Sequence, residues 1–240
     1  MSLVPRILGP LLRVLYRAQA DAYRATTPHP EDDPRFLVDG PDPIRVLLLG
    51  GGPANGYGVR THALSLTGHA ARRLAAVTGR GAEVVTLAAA ALPARRVLEL
   101  LPAEGVAGFD AVVFFPSFTD SASGMSPKRW RAMLRHIVEG LMATGDAGLL
   151  IVLTGNPLPS RFMDGFLGRV VGRHSQLLAE HTKRIAGEYP GVAYFELPKR
   201  RAASEPGKAG EEFGVAATAL VDMLAPVLTD PGAPSDTAAR

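Results

Sequence analysis

The chain has 240 residues, of which 47% are hydrophobic and 20% charged, and its formal net charge is +3. This is enough apolar material for one sizeable core. The small, dispersed positive charge and the 6% content of aromatic residues argue against a nucleic-acid-binding surface. The lack of cysteine excludes disulfides, thiolate catalysis and Cys-ligated metal sites in this chain.

The first segment, residues 3–24, has the pattern of an amphipathic helix with Arg6, Arg13, Arg17 and Arg24 on nearly one face. Two interpretations are open: the helix packs on the domain with its arginines in water, or it lies on an anionic membrane surface. No stretch approaches the ~20 uninterrupted apolar residues of a membrane span. We therefore expect a cytoplasmic protein, with peripheral membrane contact through this helix as the alternative.

A proline-rich segment follows, with five prolines among acidic residues between positions 26 and 43. Such a composition is typical of an extended connecting arm. We expect three parts: an N-terminal helix and arm (1–43), an α/β domain (44–228), and a polar, disordered tail (229–240).

From residue 44 onwards, short apolar runs alternate with helical patterns. Apolar runs of this kind indicate strands buried on both faces. We predict strands at 44–49, 83–87, 111–115, 149–154 and 192–197, and helices at 63–78, 93–101, 127–142, 162–189 and 210–228. This alternation predicts a mostly parallel sheet with helices on both faces, and such sheets bind ligands at the carboxyl ends of their strands.

The loop after the first of these strands is rich in glycine but does not fit a nucleotide site. The dinucleotide fingerprint starting at Gly50 would need glycine where Asn55 stands, and Pro53 lacks the N–H that a phosphate cradle uses. The loop also lacks the Gly-Lys-Ser/Thr ending of a Walker motif.

The same loop resembles the first block of the SGNH/GDSL hydrolases, in which an apolar strand runs into Gly-Asp-Ser and then a Gly-x-Gly-Val-like stretch. Residues 46–59 carry this similarity, and residues 110–120, 152–159 and 205–210 resemble later blocks in the right order. The similarity covers roughly residues 44–228. It implies a three-layer α/β/α sandwich of the flavodoxin-like SGNH type, with a five-stranded parallel sheet and an additional N-terminal helix.

The diagnostic catalytic residues of the family are replaced at the matching positions. Gly52 stands where the resemblance places the nucleophilic serine, and Thr119 stands in for the oxyanion-hole asparagine, while Asp120 matches. Glu205 stands in for the catalytic histidine, and Ala202 for its aspartate partner. Acyl transfer by this mechanism needs a hydroxyl and a base within hydrogen-bond reach.

Two functional hypotheses follow. The first is a protein without serine-esterase activity that uses the remnant pocket for a partner or for a small-molecule, acyl or ester ligand. The second is a divergent ester hydrolase or acyltransferase, in which Glu205 activates water or Ser117 pairs with His62 beside Asp120. The ordinary interpretation of Ser117 and Asp120 is turn hydrogen bonding. The joint loss of nucleophile and base favours the first hypothesis.

The residues expected around the remnant pocket come from four loops. They are Gly51, Gly52, Asn55, Ser117, Thr119, Asp120, Asn156 and Glu205. No cofactor is predicted. No metal is predicted either, because His62 and His69 lie two helical turns apart, as do His174 and His181, which is too far for one ion.

Overall fold

A single mixed sheet with helices on both faces forms the domain. The computed structural model describes residues 25–89, 94–116, 124–155, 165–198 and 208–229. The helix expected at 3–24 and the tail expected beyond residue 229 lie outside them. The strands are β1 Arg35–Val38, β2 Ile44–Gly50, β3 Ala82–Ala88, β4 Ala111–Phe115, β5 Leu150–Thr154 and β6 Val192–Phe195. The helices are α1 Leu66–Thr78, α2 Pro127–Thr144, α3 Gly165–Ala186 and α4 Ala209–Thr229, with 3₁₀ helices at Gly52–Asn55, His62–Leu64 and Ala94–Leu100.

The strand order is β1-β3-β2-β4-β5-β6. Strands β2 to β6 pair in parallel, as the alternation predicts. The predicted total of five strands was wrong, because β1 joins the edge of the sheet antiparallel to β3. The arm expected to be only a connector therefore supplies a sixth strand. Its half-buried Phe36 and Val38 pack on the core, while its other side chains face solvent.

A buried carboxylate ties this edge strand to the middle of the sheet. Glu83 of β3 forms ion pairs with Arg35 of β1 (2.8 Å) and Arg45 of β2 (2.9 Å), and its side chain is 9% exposed. One side chain thus bridges three neighbouring strands. A charge at this depth is tolerated because both of its oxygens are paired.

Two apolar layers flank the sheet, as the three-layer sandwich requires. Alternate residues of β2 point to opposite faces, so that Val46 and Leu48 pack beneath α1 and α4 while Leu47 and Leu49 pack beneath α2 and α3. On the second face, the Trp130 indole donates to the Thr182 hydroxyl (3.0 Å), which joins α2 to α3. The α/β/α architecture is confirmed.

One helix differs from the prediction in type, and α4, which was predicted correctly, has a notable composition. The helix predicted at 93–101 is a 3₁₀ helix over Ala94–Leu100. By length and composition alone, α4 would also pass for a membrane span. In the domain, Phe213, Leu220 and Leu224 of α4 are buried in the same cluster as α1, so one face of α4 packs on the core, while 28% of its apolar window is buried in all.

Candidate functional site

The turn after β2 lies at the point where the sheet order reverses, since β3 is on one side of β2 and β4 on the other. Gly50 allows β2 to lie very close to the end of β4. Its φ is +118°, and a Cβ there would lie 2.2 Å from the Phe115 carbonyl oxygen. Gly51 N–H then donates to that oxygen (2.9 Å), and Ala89 N–H donates to the Gly50 carbonyl (3.1 Å). The turn is therefore fixed to the ends of both neighbouring strands.

The turn itself presents backbone rather than functional groups. Gly51 is buried, whereas Gly52 is exposed and has a left-handed φ of +55°. Asn55 ends the 3₁₀ helix, and its side-chain amide donates to the Gly52 carbonyl (3.4 Å). Of these three predicted site residues, only Asn55 brings a polar side chain to the turn.

A cavity of about 340 Å³ lies beside this turn, near the carboxyl end of β3. Its size falls within the range of small-molecule sites. It is lined by His29, Pro30, Pro34, Ala54, Asn55, Tyr57, His62, Thr86 and Ala88.

The arm that precedes β1 forms one wall of the cavity. Three long-range hydrogen bonds hold it: Gly58 N–H to Pro28 O (2.8 Å), His62 N–H to the Asp32 carboxylate (2.8 and 3.1 Å), and Thr86 N–H to Pro34 O (2.8 Å). Pro30 also packs against Gly56, where a Cβ would lie 2.8 Å from the Pro30 ring. The ring centroids of His29 and Tyr57 lie 6.0 Å apart. The wall is therefore built by specific contacts.

A chain of side-chain hydrogen bonds runs beneath the cavity. His62 Nδ1 lies 3.3 Å from Thr67 Oγ1, which lies 2.7 Å from Thr86 Oγ1. Ser65 Oγ lies within donating distance of the His62 carbonyl (2.9 Å) and of Thr67 Oγ1 (3.1 Å). Burial lowers the pKa of His62, although Asp32 and Asp33 act in the opposite direction. The imidazole is therefore neutral at pH 7 and above.

The structure brings together only part of the predicted site. Asn55 and His62 both line the cavity. The remaining candidates, Ser117, Thr119, Asp120, Asn156 and Glu205, lie outside the described residues.

Three lining residues with polar or aromatic side chains were missed by sequence reasoning. Thr86 carried a usable signal, because it is a hydroxyl within the otherwise apolar run of β3 that ends at the ligand edge of the sheet. His29 and Tyr57 carried no such signal: their pairing depends on the arm folding back across the turn after β2.

Burial also predicts how stability depends on pH. Burial lowers the pKa of His62, His69, His174 and His181 in the folded chain. The unfolded chain therefore binds protons near pH 6.5 that the folded chain does not bind. We expect this contribution to the free energy of unfolding, measured by urea titration, to be fully present above pH 6.5 and to be lost as the pH falls below 6.5. Unchanged or rising stability on acidification would contradict this assignment.

Comparison with known proteins shows which fold the domain has. The sequence matches no family model and no curated protein. Among solved structures, the chain is similar to an active-site mutant of a family two carbohydrate esterase from Clostridium thermocellum, with 12% identity and a TM-score of 0.51 over 77% of this chain and 65% of that one. It is also similar to a protein assigned to the lipolytic G-D-S-L family from Desulfitobacterium hafniense, with 14% identity and a TM-score of 0.51 over 74% of this chain and 98% of that one. A third structure is the salicylyl-acyltransferase SsfX3 from a tetracycline biosynthetic pathway, with 15% identity and a TM-score of 0.50 over 80% of this chain and 57% of that one.

The chain has the SGNH/GDSL-hydrolase fold. At these identities the likeness concerns the SGNH fold and not the activity. The chain spans less than two thirds of the esterase and of the acyltransferase, and almost the whole of the G-D-S-L protein. In the SGNH fold of this chain, the cavity lies at the ligand edge of the sheet, beside the turn after β2.

Proposed function

We propose that this SGNH-fold protein has no serine-esterase activity and binds a small molecule in the cavity beside the turn after β2. The observation that carries the proposal is the pair Gly51–Gly52 in that turn, next to a cavity of ligand size. No hydroxyl projects from either residue, so neither can supply an attacking oxygen.

The family resemblance supports this proposal. It aligns Gly52 with the nucleophilic serine and Glu205 with the catalytic histidine. Both partners of the proton transfer are then replaced at once, so the matching positions supply neither an attacking hydroxyl nor a histidine base.

The surroundings of His62 support it as well. In a catalytic triad, a carboxylate orients the imidazole through one ring nitrogen. Here Nδ1 of His62 faces the Thr67 hydroxyl, and the Asp32 carboxylate accepts from the backbone N–H of His62 instead of from its ring. Among the described residues, the His62 ring thus lacks the carboxylate contact that orients a triad histidine.

An esterase assay tests the proposal. We expect no turnover of p-nitrophenyl acetate or butyrate above buffer and no labelling by a fluorophosphonate probe, with an active GDSL esterase as positive control. The Gly52→Ser variant should stay inactive, because its serine would have a left-handed backbone and would lack the family's histidine.

Two further variants assign any activity that is found. Turnover and labelling that disappear in Ser117→Ala would overturn the proposal in favour of a relocated serine. Turnover without labelling that disappears in Glu205→Gln would establish a divergent hydrolase in which a carboxylate activates water. Transfer of the acyl group to an added alcohol would place the protein among acyltransferases.

A further inference from the structure

We infer that the cavity selects an uncharged, ring-containing small molecule that both donates and accepts hydrogen bonds, over an anion of the same shape. This inference rests on the proposed binding function and adds the chemical class of the ligand. It follows from the hydrogen-bond chain beneath the cavity, the charges around it and the shape of its walls.

The hydrogen-bond chain fixes what the cavity offers. Thr67 has one hydroxyl proton and two neighbours that compete for it, His62 Nδ1 and Thr86 Oγ1. If the proton goes to Nδ1, then Nε2 carries a hydrogen, and Thr86 donates to Thr67 and keeps lone pairs for a ligand. If the proton goes to Thr86, then Nδ1 donates to Thr67, Nε2 becomes an acceptor, and the Thr86 hydrogen is left for a ligand.

In both arrangements the cavity offers one donor and one acceptor. His62 Nε2 has no hydrogen-bond partner among the described residues, and both His62 and Thr86 line the cavity. A ligand that only accepts hydrogen bonds, such as a carboxylate, bonds to the donor of the cavity. It leaves the acceptor without water and without a partner, which costs free energy. A carboxamide or an alcohol satisfies both halves.

The charges beside the cavity also disfavour an anion. The Asp32 carboxylate lies 2.8 Å from the backbone nitrogen of His62, and Asp33 acts electrostatically on the same ring. None of the described residues that line the cavity is a lysine or arginine, so none of them brings a full positive charge to offset these two carboxylates. His62 is uncharged at neutral pH because burial lowers its pKa.

The walls suit a ring. Tyr57 and His29 both line the cavity with their ring planes tilted by 59°, and the rings of Pro30 and Pro34 contribute apolar surface. Such surfaces bind the faces and edges of a planar ring with little loss of side-chain freedom. The proline-rich arm is also fixed by its hydrogen bonds before any ligand arrives, which lowers the entropic cost of binding.

Benzamide and benzoate form a matched pair of probes, because they share a ring and a shape and differ in charge and in donor capacity. We expect the full-length protein at pH 7.5 to bind benzamide at least about tenfold more tightly than benzoate, as measured by calorimetry and saturation-transfer NMR. Binding of benzoate with equal or greater affinity would overturn the inferred class, as would no binding of benzamide.

Variants connect binding to the cavity. Thr86→Val preserves the side-chain volume but removes the hydroxyl, and should lower the affinity for benzamide about tenfold. The control, Thr218→Val, removes an exposed hydroxyl on α4 that bonds to the Gly214 carbonyl and should leave affinity unchanged. If Thr86→Val fails to fold, Tyr57→Ala gives the same test, because it removes a wall without cutting the hydroxyl chain. Affinity that is unchanged in a folded variant of either residue would refute the assignment of the site.

The two proposals fail separately. Ester hydrolysis with benzamide selectivity intact would refute only the non-catalytic function. The absence of hydrolysis together with tighter binding of benzoate would refute only the inferred ligand class.

Discussion

Replacing Gly50 with alanine should lower the free energy of unfolding by more than about 3 kcal/mol, or leave no folded protein at all. Two effects combine at this residue. Its φ of +118° strains any residue with a side chain, and the new Cβ would lie 2.2 Å from the Phe115 carbonyl oxygen. The clash is with backbone, so that β2 and β4 must separate at the switch point of the sheet.

A second glycine separates these two effects. Gly79 ends α1 with a φ of +68°, and a Cβ added there meets nothing within 4 Å. Gly79→Ala should therefore cost only the left-handed penalty, about 1–2 kcal/mol. Chemical denaturation followed by circular dichroism compares the two variants. Equal losses at the two positions would show that the approach of β2 to β4 is not tight.

Replacing Trp130 with alanine should cost about 3–5 kcal/mol, because this residue is fully buried between α2 and the sheet. Its indole also donates to Thr182 of α3, so the substitution loosens both helices on that face. The Thr182→Val variant removes the hydrogen bond while leaving the ring in place, and should cost about 1 kcal/mol.

Urea titrations of both variants give the measurement. If Thr182→Val lowered the free energy of unfolding as much as Trp130→Ala, the packing of α2 on α3 would depend on the hydrogen bond and not on burial of the indole. The Trp130 fluorescence that remains in Thr182→Val offers an independent check that its surroundings are intact.

The parallel part of the sheet could be predicted because its strands are buried on both faces. Their apolar runs are continuous and differ sharply from the helical patterns between them. β1 could not be predicted in the same way. It has four residues, two of them half-buried, and it follows a proline-rich arm, so that its existence depends on pairing with β3.

The candidate site was predictable only where it is local in sequence. The glycine-rich turn and Asn55 follow directly from the position of β2 in a parallel sheet. The contact of Asp32 with His62 joins residues thirty positions apart, and no periodicity encodes it. Likewise Gly50 could be recognised as a turn residue, but its closeness to Phe115 follows from strand register.

One continuous segment, from Pro28 to Val38, serves both as a wall of the cavity and as the outermost strand. Thermodynamic linkage follows from this continuity. A short edge strand is among the first parts of a sheet to detach transiently, and its detachment would pull away the hydrogen bonds at Asp32 and Pro34. A molecule bound in the cavity would therefore stabilise the pairing of β1 with β3, and the paired strand would in turn raise the fraction of molecules competent to bind.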